Sequence, residues 1–80
     1  MRSYLRQLRR EKQMTQTDTA KRAGMAQGFY CAIEQGKKQR SMSFETIQKL
    51  ARAFDLQPTE IFQLEAKYQQ DCIAQDRIAT

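Results

Sequence analysis

The sequence predicts an all-α domain of five helices, the last of them extended, with a helix-turn-helix pair at its centre. Three observations carry that prediction. Valine is absent, and the chain holds only three Gly and one Pro, so neither strand formers nor turn residues are plentiful. No window sustains apolar/polar alternation over a strand length, whereas apolar residues recur at three- and four-residue intervals. Gly24 and Gly36 each follow a short helical segment, where glycine takes the left-handed conformation that ends a helix.

The first helix is read over residues 2–12, with Leu5 and Leu8 three apart on one face, Tyr4 beside them and bases on the rest. Thr15 is a good N-cap for a second helix over residues 16–23. Asp18 takes the capping-box position where Glu is usual, so the box is expected to be imperfect. Gly24 ends that helix, and only Met25 and Ala26 separate it from a third over residues 27–35, which stops at Gly36. Phe29, Tyr30 and Ile33 are spaced to bury a stripe there, with Phe29 read as core ahead of a groove contact. Two short helices joined through a glycine turn form the helix-turn-helix pattern.

Residues 37–42 read as a basic loop. Ser43 caps a fourth helix over residues 44–54, whose Phe44, Ile47, Leu50, Ala51 and Phe54 form one apolar face, and Asp55 ends it. Pro58 opens a fifth helix expected to reach residue 75, at a position where its missing N–H costs little. Ile61 and Phe62 are expected to pack inward. Leu64, Tyr68 and Cys72 either cover the domain or meet a second subunit. Residues 76–80 are expected to fray. This organisation divides into a helix-turn-helix domain over residues 1–64 and a helical extension over 65–80.

At 80 residues the chain is one small domain, of a size that buries roughly 60–65% of its unfolded surface. No stretch approaches the ~20 apolar residues of a membrane span, and the basic start has no apolar core of a secretory signal. A cytoplasmic protein with no membrane partner is the expectation. The charge is more informative. Residues 1–40 hold ten bases against three acids, and residues 41–80 hold four against six. A net charge of +5 concentrated in one half fits a polyanion-binding face, or simply a solvated surface.

Cys31 and Cys72, with no histidine in the chain, cannot assemble a four-ligand zinc site. A cysteine nucleophile lacks its commonest base, and the two thiols are expected to stay reduced. No metal, no cofactor and no enzymatic activity are expected.

Several ordered motifs converge on one family. They are Leu8 to Gln16 with Thr15-Gln16 opening the second helix, Ala20 to Met25 around Gly24, Ile33 to Lys37 around Glu34 and Gly36, Ser43 to Ala51, and Pro58 to Phe62. Together these resemble the lambda-repressor-like (Cro/C1, or XRE) helix-turn-helix family over roughly residues 4–64. The loop before Ser43 is similar to the longer form found in phage repressors and in small controllers of restriction-modification systems. The resemblance implies a sequence-specific regulator of transcription that binds double-stranded DNA, such as a repressor, and acts as a homodimer on a pseudo-palindromic operator. Three residues depart from the family pattern. Thr19 stands where Leu is usual, Ala26 where a Ser or Thr N-cap is usual, and Tyr30 where Ile or Val is usual. Tyr30 is expected to fill the core only if its hydroxyl finds a partner.

In such proteins the second helix of the pair enters the major groove and reads bases from its N-terminal end. That assigns base reading to Gln27, Gly28, Cys31 and Ala32. Gln27 is the strongest reader because its amide can bond adenine bidentately. For Cys31 a half-buried inert thiol is the competing reading, and Gly28 is a close-approach position or simply a weak helix former. Phosphate contacts fall to Gln16 at a helix start and to Lys37, Lys38 and Arg40 in the basic loop. The resemblance makes Arg9 and Glu34 a structural ion pair between the first and third helices. The dimer surface is expected on the C-terminal side, at Leu64, Tyr68 and Cys72. A second function class remains open, a protein-interaction module such as an antitoxin-like partner-binding domain that keeps the fold.

Overall fold

The computed structural model describes the backbone of residues 1–39 and 41–79, and the side chains among these up to residue 73. Among the described residues the chain forms five α-helices and no strand: α1 (Ser3–Glu11), α2 (Gln16–Ala23), α3 (Gln27–Gln35), α4 (Phe44–Phe54) and α5 (Pro58–Ala79). The bounds expected for α2, α3 and α4 agree with these, and α1 is one residue shorter at each end. α5 reaches Ala79, so the expected end near residue 75 is corrected. Thr80 lies outside the described residues.

Local chemistry accounts for the helix ends. The Thr15 hydroxyl accepts from the Asp18 N–H and the Asp18 carboxylate accepts from the Thr15 N–H, each at 3.1 Å. The capping box is therefore complete, because aspartate at this position still reaches back to the cap. The Ser43 hydroxyl accepts from the Thr46 N–H at 3.2 Å and caps α4. Asp55 closes that helix in the left-handed region at φ 57°.

α4 packs against both α2 and α5, and α3 packs against α2 and α1. Leu5, Tyr30, Ile33, Leu50, Phe54 and Ile61 meet in the core with essentially no exposure. Ala20 and Ala23 let α2 approach its neighbours closely. Fully burying one of the large side chains stabilises the fold by about 1.5–3 kcal/mol. Thr19, in place of an apolar anchor, is also buried, and its hydroxyl donates to the Thr15 carbonyl at 3.0 Å, so no polar group is stranded.

Two expected core residues of α4 and α5 are on the surface. Phe44 is 68% exposed and Phe62 is 61% exposed. Phe44 occupies the first turn of α4, at the edge of the arc buried by Ile47, Leu50, Ala51 and Phe54. Phe62 follows the buried Ile61 and so points about 100° away from it around the helix. Tyr30 is a third correction. Its ring is fully buried, yet among the described residues its hydroxyl has no hydrogen-bond partner. The area gained by burying the ring outweighs the desolvation of one hydroxyl, a cost of about 1–3 kcal/mol.

The largest fully buried side chain among the described residues is one the sequence presents as surface. Arg2, just before α1, has no exposed area, and all five of its N–H groups donate. Nε bonds Glu65 Oε1 at 2.8 Å and Nη2 bonds Glu65 Oε2 at 3.0 Å. Tyr4 donates its hydroxyl to Glu65 at 2.6 Å, and Gln69 donates to it at 2.8 Å. Burial alone pushes the Glu65 carboxyl up, but these bonds and the Arg2 charge prevail and hold it below the usual glutamate range. The Tyr68 ring lies 5.0 Å from the guanidinium, a cation–π distance. Among the described residues, no helix is long and apolar enough to cross a membrane.

Candidate nucleic-acid interface

The turn between α2 and α3 is built on one residue. Gly24 adopts φ 71°, and its N–H and that of Met25 fold back onto carbonyls in the last turn of α2. Met25 then packs half-buried against the core. Ala26 offers no side-chain cap, so the first amides of α3 receive no bond from it.

Which face of α3 is free follows from its buried residues. Tyr30, Ile33 and Glu34 occupy one arc. At about 100° per residue the opposite arc holds Gly28, Ala32 and Gln35 with Cys31 at its edge, while Gln27 falls beside Glu34 and is exposed at the first position of the helix. Gln27, Gly28 and Gln35 are exposed, and Cys31 and Ala32 are half-buried. Cys31 and Cys72 are both free thiols. Phe29, expected first as core, is 39% exposed, because its position falls between the buried arc and the free one.

The start of α2 lies close to the start of α3. Gln16 and Thr17 line an open concavity of ≈ 540 Å³ together with Gln27, Gln13 and Arg10. Gln16 and Gln27, assigned to different roles from the sequence, thus share one concave surface. Arg10 belongs beside them, although sequence reasoning left it unassigned. The signal for it was its place in the last turn of α1, next to Arg9 and just before the turn into α2.

Arg9 also lines this concavity, with its guanidinium bonded inward. Its Nε and Nη2 donate to the two Glu34 oxygens at 3.2 and 3.1 Å, and Nη1 donates to the Met14 carbonyl at 3.3 Å. The Glu34 hydrogen bond raises the Arg9 pKa above its ordinary value. The Tyr30 phenol is pushed up by burial first and by the neighbouring Glu34 carboxylate next.

At the far end of α3, Gly36 takes φ 81° and the chain leaves the helix. The Lys37 and Lys38 N–H groups both donate to the Ala32 carbonyl, at 2.8 and 3.3 Å, while their side chains are exposed. Arg40, the third base expected in this loop, lies outside the described residues. On α5, Leu64, Tyr68 and Cys72 are all half-buried. Tyr68 is turned onto Arg2 of its own chain, and its hydroxyl lies over Gly36.

A family model described as the Cro/C1-type HTH DNA-binding domain matches residues 4–67, which span all of α2, α3 and α4. The chain belongs to this family. Comparison with curated proteins and with solved structures gives no match. In a Cro/C1-type domain α2 and α3 are the helix-turn-helix pair, and the ligand class of the domain is double-stranded DNA.

Proposed function

We propose that this protein is a transcriptional regulator that binds double-stranded DNA sequence-specifically, as a homodimer on a pseudo-palindromic operator. The observation that carries the proposal is the free arc of α3, rising from the concavity that Gln27 shares with Gln16 and Arg10. In this reading α3 lies in the major groove. Gln27 hydrogen-bonds a base edge, and Gly28 lets the helix approach closely. Ala32 and Cys31 offer small apolar contacts to thymine methyls. With few polar readers, part of the discrimination comes from DNA shape and deformability.

Gln16 and Arg10 contact phosphate on one side of the groove, and Lys37 and Lys38 on the other. Arg2 contributes nothing directly, since it is fully buried against Glu65. One such unit reads only a few base pairs, and a twofold pair reads half-sites about 34 Å apart. The second subunit is placed on the α5 side, where Leu64, Tyr68 and Cys72 share one stripe of the helix and are half-buried.

Selection of bound fragments from a random DNA pool tests this reading. Enrichment of inverted half-sites one helical turn apart, with affinity that falls steeply as salt rises, is the expected result. A pool that stays unenriched after repeated rounds would overturn it.

A further inference from the structure

The guanidinium of Arg2 faces two ways. On one side it is bonded to Glu65 of α5 through Nε and Nη2. On the other, Nη1 donates to the carbonyls of Ile33 at 2.7 Å and Lys38 at 3.2 Å, and Nη2 donates to the carbonyl of Gln39. The last three acceptors are the end of α3 and the backbone of the basic loop. Gln39 sits in the left-handed region at φ 55° with no glycine to ease it, and its side-chain oxygen accepts from the Ser43 N–H at 3.0 Å. The loop is thus held from inside by one buried cation and from α4 by one amide, while the side chains of Lys37 and Lys38 remain in solvent.

We infer that Arg2 is a positioning residue for DNA binding, one that touches no DNA but sets the course of the loop presenting Lys37 and Lys38 to phosphate. The inference rests on the DNA-binding reading above. Its physical basis is that two long, flexible lysine side chains grip a backbone well only if their own backbone is fixed beforehand. Arg2 is the buried donor that fixes it. A lysine at position 2 cannot replace it, because a single ammonium does not span a carboxylate on one side and three carbonyls on the other.

The test is the salt dependence of duplex binding, measured in two backgrounds. In the unaltered protein, Lys37→Ala with Lys38→Ala should flatten the slope of log affinity against log salt by about two, roughly one for each phosphate no longer neutralised. The paired variant Arg2→Met with Glu65→Leu leaves no buried charge unmatched. It should show the same flattening while keeping its helical circular dichroism. Adding Lys37→Ala and Lys38→Ala to it should then change little. Arg2→Lys, which keeps a cation opposite Glu65, should flatten the slope as the paired variant does, and it serves if the paired variant does not fold.

Retention of the full slope by these Arg2 variants would overturn the inference. So would a lysine-pair effect as large in the variant background as in the unaltered protein. If the unaltered protein binds no duplex at low salt, the DNA-binding reading itself fails and the inference with it. That outcome is distinct from binding with additive effects, which removes the inference alone.

Discussion

Arg9 of α1 holds Glu34 of α3 through two parallel N–H donors, and Glu34 is only 2% exposed. The pair ties α3 to α1 through Glu34, the residue beside which Gln27 emerges. Arg9→Ala leaves a carboxylate buried without its cation, so we expect a loss of about 3 kcal/mol in urea unfolding. Glu34→Gln, which keeps an acceptor for one N–H, should cost less. Equal, negligible effects of both would show that the pair is not what ties α3 to α1.

Tyr30→Phe removes a buried hydroxyl that has no partner among the described residues. Stability should be unchanged or higher by up to about 1 kcal/mol, with the urea m-value unaltered. A decrease of that size would mean instead that the hydroxyl bonds Glu34 in solution.

Much of the fold was legible because its helix ends carry their own chemistry. Thr15, Gly24, Gly36, Ser43 and Asp55 mark the ends of α2, α3 and α4, and each acts through backbone bonds within a few residues of itself. Long-range choices were not legible. Phe44 and Phe62 are apolar and well spaced, but whether a neighbouring helix covers them depends on packing geometry. Arg2 and Glu65 are 63 positions apart, and each reads as a solvated charge until the other is placed beside it. The candidate site shows the same division. The exposed arc of α3 follows from its periodicity, whereas the approach of Arg10 and Gln16 to Gln27 needs the turn between helices.

Acid should weaken the clamp at Arg2. Glu65 is held below the ordinary glutamate value, so its contribution is complete above that value, about 4.3, and disappears as pH falls through the lower folded value. Asp18, held down by its bonds to Thr15, contributes in the same direction. Thermal unfolding followed across acid pH should therefore show a steep fall below about pH 4.3. Glu65→Gln should make that fall shallower, and an unchanged acid limb would remove Glu65 from the account.

The proposed homodimer places Leu64 at the α5 surface between subunits. Leu64→Glu buries a charge there, so the dimer should weaken at least tenfold, about 1.4 kcal/mol, in analytical ultracentrifugation. A sedimentation profile unchanged from the unaltered protein would move the interface elsewhere.

The central claim is that α3 reads base edges, and Gln27 tests it most directly. Binding of Gln27→Ala should be compared with the unaltered protein on a selected duplex and on a random one, at the same salt. The account predicts a loss of about 1–3 kcal/mol on the selected duplex and little change on the random one. Equal losses on both, or no loss on either, would contradict it.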